Sequence, residues 1–133
     1  MTDFPATVVE ALPYTEETVW SIQFVQSPPS ATKSYLRTLS AEWKPLMDEA
    51  QRRGLIRSYR IMLSPPAHRD DWNVMIMIEV ENMAALDGHN DRMIALINEV
   101  RGGGAGCGSL QANEGDPPPD FIALRLLREV SLR

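Results

Sequence analysis

The spacing of apolar residues predicts an α+β domain in the order strand, helix, strand, strand, helix, strand. Three observations carry this reading. Residues 72–81 (WNVMIMIEVE) alternate, with Trp72, Val74, Ile76, Ile78 and Val80 on one face and Asn73, Met75, Met77, Glu79 and Glu81 on the other. Both faces are too apolar near the middle to be left in water, which marks a central strand covered on both sides. Two stretches, 36–50 and 83–100, instead repeat apolar residues at three- and four-residue steps, the signature of amphipathic helices. Clusters of Gly, Pro and Ser punctuate the rest.

At 133 residues the chain is long enough for one domain with a real core. Its 44% hydrophobic and 23% charged residues are ordinary for a globular protein. A net charge of -5, with Lys33 and Lys44 the only lysines, argues against a nucleic-acid partner. Cys107 stands alone, so an internal disulfide framework is excluded. No apolar run approaches the ~20 residues that span a membrane. No basic residue precedes Lys33 and no long apolar core follows the N-terminus, so no secretory signal and no membrane contact are expected, and the cytoplasm is the expected location.

Residues 1–17 are acidic, broken by Pro5 and Pro13, and read as an N-terminal arm laid over the domain by Phe4, Val8, Val9 and Leu12; residues 18–133 form the single domain. Residues 18–26 are the first strand, ended by Ser27-Pro28-Pro29-Ser30. A helix follows, capped by Ser30 or Thr32, with Leu36, Leu39, Trp43, Leu46, Met47 and Ala50 as its stripe. Pro45 lacks the N–H that would bond to Ala41, so a kink or restart near Lys44 is expected. Gly54 is placed to end the helix in a left-handed conformation. Residues 55–63 are the second strand and 64–71 the loop into the third. Asn82 caps a second helix with the stripe Met83, Leu86, Met93, Ile94, Ile97 and Val100, interrupted near Gly88. Residues 102–120 read as a mobile connection, and 121–132 as the last strand.

This β-α-β-β-α-β order is that of a ferredoxin-like antiparallel sheet with two helices on one face. The right-handed crossover rule places the first and third strands in the centre. Trp20, Ile22, Phe24, Tyr59, Ile61, Val74, Ile76, Ile78, Ile122, Leu124 and Leu126 are then expected to face the helices. The opposite face is expected to carry Ser21, Gln23, Ser58, Arg60, Met62, Met75, Met77, Glu79, Arg125, Leu127 and Glu129. Such a mixed face suits two sheets meeting around a partly polar cavity, where methionines adapt to an irregular shape.

The runs VWSIQFV (19–25), YLRTLSAEWKPLMDEAQRRGLIRSY (35–59) and WNVMIMIEVENMAALDG (72–88) resemble bacterial proteins of the dimeric α/β-barrel superfamily. The resemblance covers roughly residues 18–130, and its most specific pieces are Trp43-Lys44-Pro45, Gly54-Leu55-Ile56 and 82–87. It implies a homodimer whose two sheets pair as a barrel, with ligands between the sheets or between sheet and helices. The superfamily includes cofactor-independent monooxygenases, haem-degrading enzymes and lactone isomerases. No functional motif of a single branch is matched, so neither a cofactor nor an enzymatic activity is assigned. The implied ligand is a small molecule of apolar or mixed polarity. The competing reading is a non-catalytic homodimer acting through a protein partner.

Glu79 with Arg60 or Arg125 is the leading constellation, as an acid–base pair or as a salt-bridge network fixing dimer register. His68 is a further catalytic candidate, although His68 and His89 both fall in turns where a solvated imidazole is the simpler reading. Gln23, Met62, Met75, Met77 and Arg125 are candidate ligand contacts on the barrel face. Trp43 and Tyr59 are candidates for an aromatic pocket between sheet and helix. Asp87, His89 and Asp91 match no metal-ligand spacing, so no metal is expected. The glycines of 102–108 lack the Lys-Ser/Thr and the following helix of a phosphate loop. Cys107 has no adjacent base and reads as a bystander.

Overall fold

The structure, a computed structural model, describes residues 12–101 and 118–133. Strands β1 (Tyr14–Gln26), β2 (Ser58–Leu63), β3 (Val74–Val80) and β4 (Asp120–Leu132) form one antiparallel sheet in the order β2-β3-β1-β4. Helices α1 (Thr32–Thr38), α2 (Lys44–Arg52) and α3 (His89–Arg101) complete the α+β architecture, which is compatible with a ferredoxin-like fold. β1 and β3 are central, as the crossover rule requires. Leu39, Trp43, Leu46, Met47, Met93, Leu96 and Ile97 from the helical layer pack over Val19, Val25, Val74, Ile76 and Val80. Each such side chain contributes about 1.5–3 kcal/mol when fully buried. The N-terminal arm at residues 1–11, and residues 102–117 with Cys107 and most of the expected mobile connection, lie outside the described residues. Among the described residues no helix is long and apolar enough to cross a membrane.

The register corrects the expected facing of β1. Trp20 lies opposite Glu79, Ile22 opposite Met77 and Phe24 opposite Met75. Paired residues share a face. Trp20, Ile22 and Phe24 therefore point away from the helices, while Val19, Ser21, Gln23 and Val25 point toward them. Val19 and Val25 are 1% and 0% exposed. Tyr35, Trp43 and Leu46 already fill the space under the helices. Valines fit there, where Trp20 and Phe24 would overpack. Gln23 accordingly sits on the helix side, opposite Ile76 and Leu124, and is not on the barrel face. The facing of β2 and β3 is as expected.

β4 departs differently. Leu124 and Leu126 lie on the helix side opposite Gln23 and Ser21, yet they and Ile122 remain exposed. The core is centred over β1–β3, and β4 is an edge strand outside it. Register shifts between Glu16 and Val19 and between Phe24 and Val25 interrupt the long β1–β4 pair, and bulges of this kind increase the local twist. β1 begins at Tyr14, so residues 14–17 of the expected arm belong to a two-stranded ribbon extending past the end of β3.

β3 starts at Val74 rather than at Trp72. Trp72 turns onto the open side and meets the Phe24 ring edge-on, with centroids 5.2 Å apart. Asn73 closes the gap to β1 with its amide: Oδ1 accepts from the Ser27 N–H at 2.9 Å and Nδ2 donates to the Ser27 carbonyl at 2.8 Å.

Pro45 produces the expected irregularity as a π turn, Leu39–Trp43, in which the Lys44 N–H donates to the Leu39 carbonyl five residues back. Pro45 then occupies the first turn of α2, where a missing N–H costs nothing. Gly54 adopts φ 77 after α2, as expected of a helix terminator. The expected cap at Ser30 or Thr32 is absent: Ala31 holds the N-cap position. Thr32 is already inside the helix, and its hydroxyl donates back to the Pro28 carbonyl at 3.1 Å. Asn82 does cap, its Oδ1 accepting from the Ala85 N–H at 2.9 Å, but it caps a short 3-10 turn, Met83–Leu86. Gly88 at φ 69 then resets the helix phase. α3 consequently buries Met93, Leu96 and Ile97 and exposes Ile94 and Val100, which corrects the expected stripe.

Candidate functional site

The open sheet face is a lattice of three rows across all four strands. The first row is Ser58, Glu79, Trp20 and Leu127; the second is Arg60, Met77, Ile22 and Arg125; the third is Met62, Met75, Phe24 and Ala123. The middle of its second and third rows is apolar, Arg60 and Arg125 close the ends of the second, and Glu79 makes one corner polar. Ile22 is 5% exposed, shielded by larger neighbours, while Met62 and Leu127 are each 46% exposed.

Glu79 anchors the polar corner. Ser58 Oγ donates to its Oε1 at 2.7 Å, and Thr18 Oγ1 donates to its Oε2 in a short bond. Thr18 reaches it from beside the bulge in β1, a position where an extra residue re-aims a side chain. Desolvation pushes the Glu79 carboxyl upward, but the Thr18 and Ser58 hydroxyls, with the charges of Arg57 and Arg60, outweigh it and hold the group below its ordinary value. No arginine forms an ion pair with Glu79 among the described residues; Arg57 pairs instead with Glu81 at 2.6 Å. The expected arginine partner is thus replaced by two hydroxyls, with arginine acting through its field alone. Each carboxylate oxygen keeps a further lone pair for a ligand donor.

Trp20 forms the floor beside Glu79. Its Nε1 donates to Glu129 Oε1 at 2.9 Å, and the Arg60 guanidinium lies 5.5 Å from a Trp20 ring centroid. That contact is worth about 0.5–1 kcal/mol at an exposed site. The structure therefore brings together Glu79, Arg60 and Met77 in adjacent rows, with Met75 and Met62 paired one row further along. Arg125 sits at the far end of the row from Arg60, three strand spacings or ~14 Å away. It is separated from Glu79 by the width of β1.

Trp43 and Tyr59 meet on the helix side, edge to face, with centroids 5.3 Å apart. They border a shallow groove of about 170 Å³ with Leu36, Leu39, Ser40 and Ile61. Tyr59 Oη donates to Asp48 Oδ1 at 2.5 Å, and Lys44 Nζ donates to Asp48 Oδ2 at 2.8 Å. The bond to Asp48 raises the Tyr59 phenol and burial adds to it. Lys44 and Tyr59 lower Asp48. This chain of contacts ties β2 to α2, and Trp43, 9% exposed, belongs to the core.

His68 lies in neither place. It borders a larger cleft, about 580 Å³, at the end of the sheet where β1 stops and β3 and β4 start. His89 opens α3, where its Nδ1 is buried without a hydrogen-bond partner among the described residues; burial, then Arg92, lowers its pKa. Asp87, His89 and Asp91 do not gather into a group able to hold a metal.

The sequence missed Trp20, Thr18 and Ser58 as parts of the site. The signal was parity: Thr18 and Trp20 share one face of β1, and a carboxylate at Glu79 in a central strand calls for hydroxyl donors on that face. A scan against protein-family models finds no match for the chain, and a search of curated proteins finds none.

Proposed function

We propose that the protein is a homodimeric small-molecule-binding protein of the dimeric α/β-barrel type, its ligand held between two facing sheets over Trp20 and Glu79. The observation that carries this reading is the open face itself. It presents the half-buried Trp20, Phe24, Met75 and Met77 around a buried Ile22, bordered by an ionised carboxylate. An apolar sheet face of this kind is buried in functional proteins, and a second copy of the same face is the simplest cover. Ferredoxin-like topology fits such pairing, because the helices leave one face free.

The chemistry favours binding over acid catalysis. A carboxylate whose pKa is lowered is an acceptor and a poor proton donor at neutral pH. It suits a flat apolar ligand that carries a hydrogen-bond donor, with the ring lying on Trp20 and the methionines adapting to its outline. The test is untargeted mass spectrometry of small molecules retained by the purified protein, by Trp20→Ala and by Glu79→Gln. A molecule held by the parent and lost from both variants supports the proposal. A parent that retains nothing, or retention indifferent to both substitutions, sinks it in favour of a barrel that serves assembly alone.

A further inference from the structure

The cleft at the sheet end is remote from the open-face site and is built differently. Its walls are two loops locked in place by their own polar groups. Asn73 clamps Ser27 through both amide atoms, and Ser27 is 2% exposed. Asp71 accepts from the N–H groups of Ala67 at 2.8 Å and Trp72 at 2.9 Å, fixing the loop between β2 and β3. Gln26 Nε2 donates to the Arg69 carbonyl at 2.5 Å, joining the two walls.

Three charged or titratable side chains at the cleft are left over. The Asp70 N–H donates to His68 Nδ1 at 3.3 Å, so the ring donor is Nε2–H, which has no hydrogen-bond partner among the described residues. Neither Arg69 nor Asp120 enters an ion pair among the described residues. Both adjoin Gln26, which holds the Arg69 backbone and is the register partner of Asp120, and both line the cleft. Pro28, Pro29 and Pro66 supply apolar walls between them.

We infer that this cleft binds a small amphoteric carboxylate, of which a zwitterionic amino acid with an apolar side chain is the simplest member. The carboxylate takes the Arg69 guanidinium and His68 Nε2–H, two donors on adjacent residues. The ammonium takes Asp120 across Gln26, and the apolar body lies on the prolines. A cleft lined by both cationic and anionic side chains complements a ligand that carries both charges.

The experiment is an amide chemical-shift titration of the full chain with L-phenylalanine. 3-Phenylpropanoate, lacking the amine, and phenethylamine, lacking the carboxylate, are the matched probes. Saturable shifts at Ser27, His68, Arg69, Asn73 and Asp120 are expected with L-phenylalanine. Arg69→Gln should weaken binding by about tenfold or more, the scale of one charge-assisted contact. Asp120→Asn should weaken L-phenylalanine but leave 3-phenylpropanoate unchanged, and Arg37→Gln on the exposed face of α1 should change nothing. No saturable shift, shifts confined to the rows of Trp20 and Glu79, or wild-type binding by Arg69→Gln would overturn the inference. Binding of 3-phenylpropanoate equal to that of L-phenylalanine would overturn the amphoteric class. Because the two sites are read at different amides, failure here leaves the open-face reading untouched, and the reverse also holds.

Discussion

Glu79 keeps its charge on a half-buried surface because Thr18 and Ser58 each give it a hydroxyl hydrogen bond. Its dependence on pH follows from that arrangement. A carboxyl lowered in the folded state stabilises the fold fully above its ordinary range, and this contribution is lost as pH falls through the lowered value. In a Thr18→Val/Ser58→Ala variant the desolvation remains and the donors are gone, so the Glu79 pKa should rise and the acid-side loss should begin at higher pH. A carboxyl-carbon NMR titration reads this directly, and an unchanged midpoint would show that the hydroxyls do not hold the charge. Glu79→Gln should cost only about 1 kcal/mol by denaturant midpoint, since an amide can still bond both hydroxyls. Removing one member of a buried ion pair would instead cost about 3–5 kcal/mol. At this scale the sequence identified Glu79 but not its partners. An arginine was the obvious candidate by charge, while the hydroxyls were specified only by a strand parity that bulk alone does not reveal.

Among the elements, the helix breaks were the most legible, because Pro45, Gly54 and Gly88 each impose a local geometry, whereas the first cap and the buried stripe of α3 were not. Gly54 shows this most simply. At φ 77 a Cβ would meet nothing within 4 Å, so Gly54→Ala carries a backbone penalty alone. Thermal or denaturant unfolding should show a loss of about 1–2 kcal/mol, and Gly54→Asn should lose less, because asparagine tolerates the left-handed region. Equal stability of Gly54→Ala would mean that the turn rearranges. The strands were legible in existence and order, and in facing for β2 and β3, but β1 was misassigned. On β1 both faces contain apolar residues, and the outward face of Trp20, Ile22 and Phe24 is the more apolar of the two. The rule that the greasier side goes inward therefore misassigned the strand, and Gln23 with it. The cleft at the sheet end was invisible for another reason: it is assembled from residues 26–29, 66–73 and 120, brought together by topology rather than by spacing.

For the whole molecule the β1 correction strengthens the need for a cover. Moving three large residues to the open face joins them to Met62, Met75 and Met77 in one apolar sheet surface, with Trp72 folded over its margin. The polar ends, Arg60 and Arg125 in one row and Glu79 and Glu129 nearby, would set the register of two such faces across a twofold axis, with opposite charges meeting at the rim. The central claim is that a second copy covers this face, and the molar mass in solution tests it most directly. Light scattering on the eluting protein at micromolar concentration should give twice the 14.9 kDa of the chain, and Met77→Arg in the middle of the face should return it to the single mass. A parent protein that runs at 14.9 kDa would contradict the account.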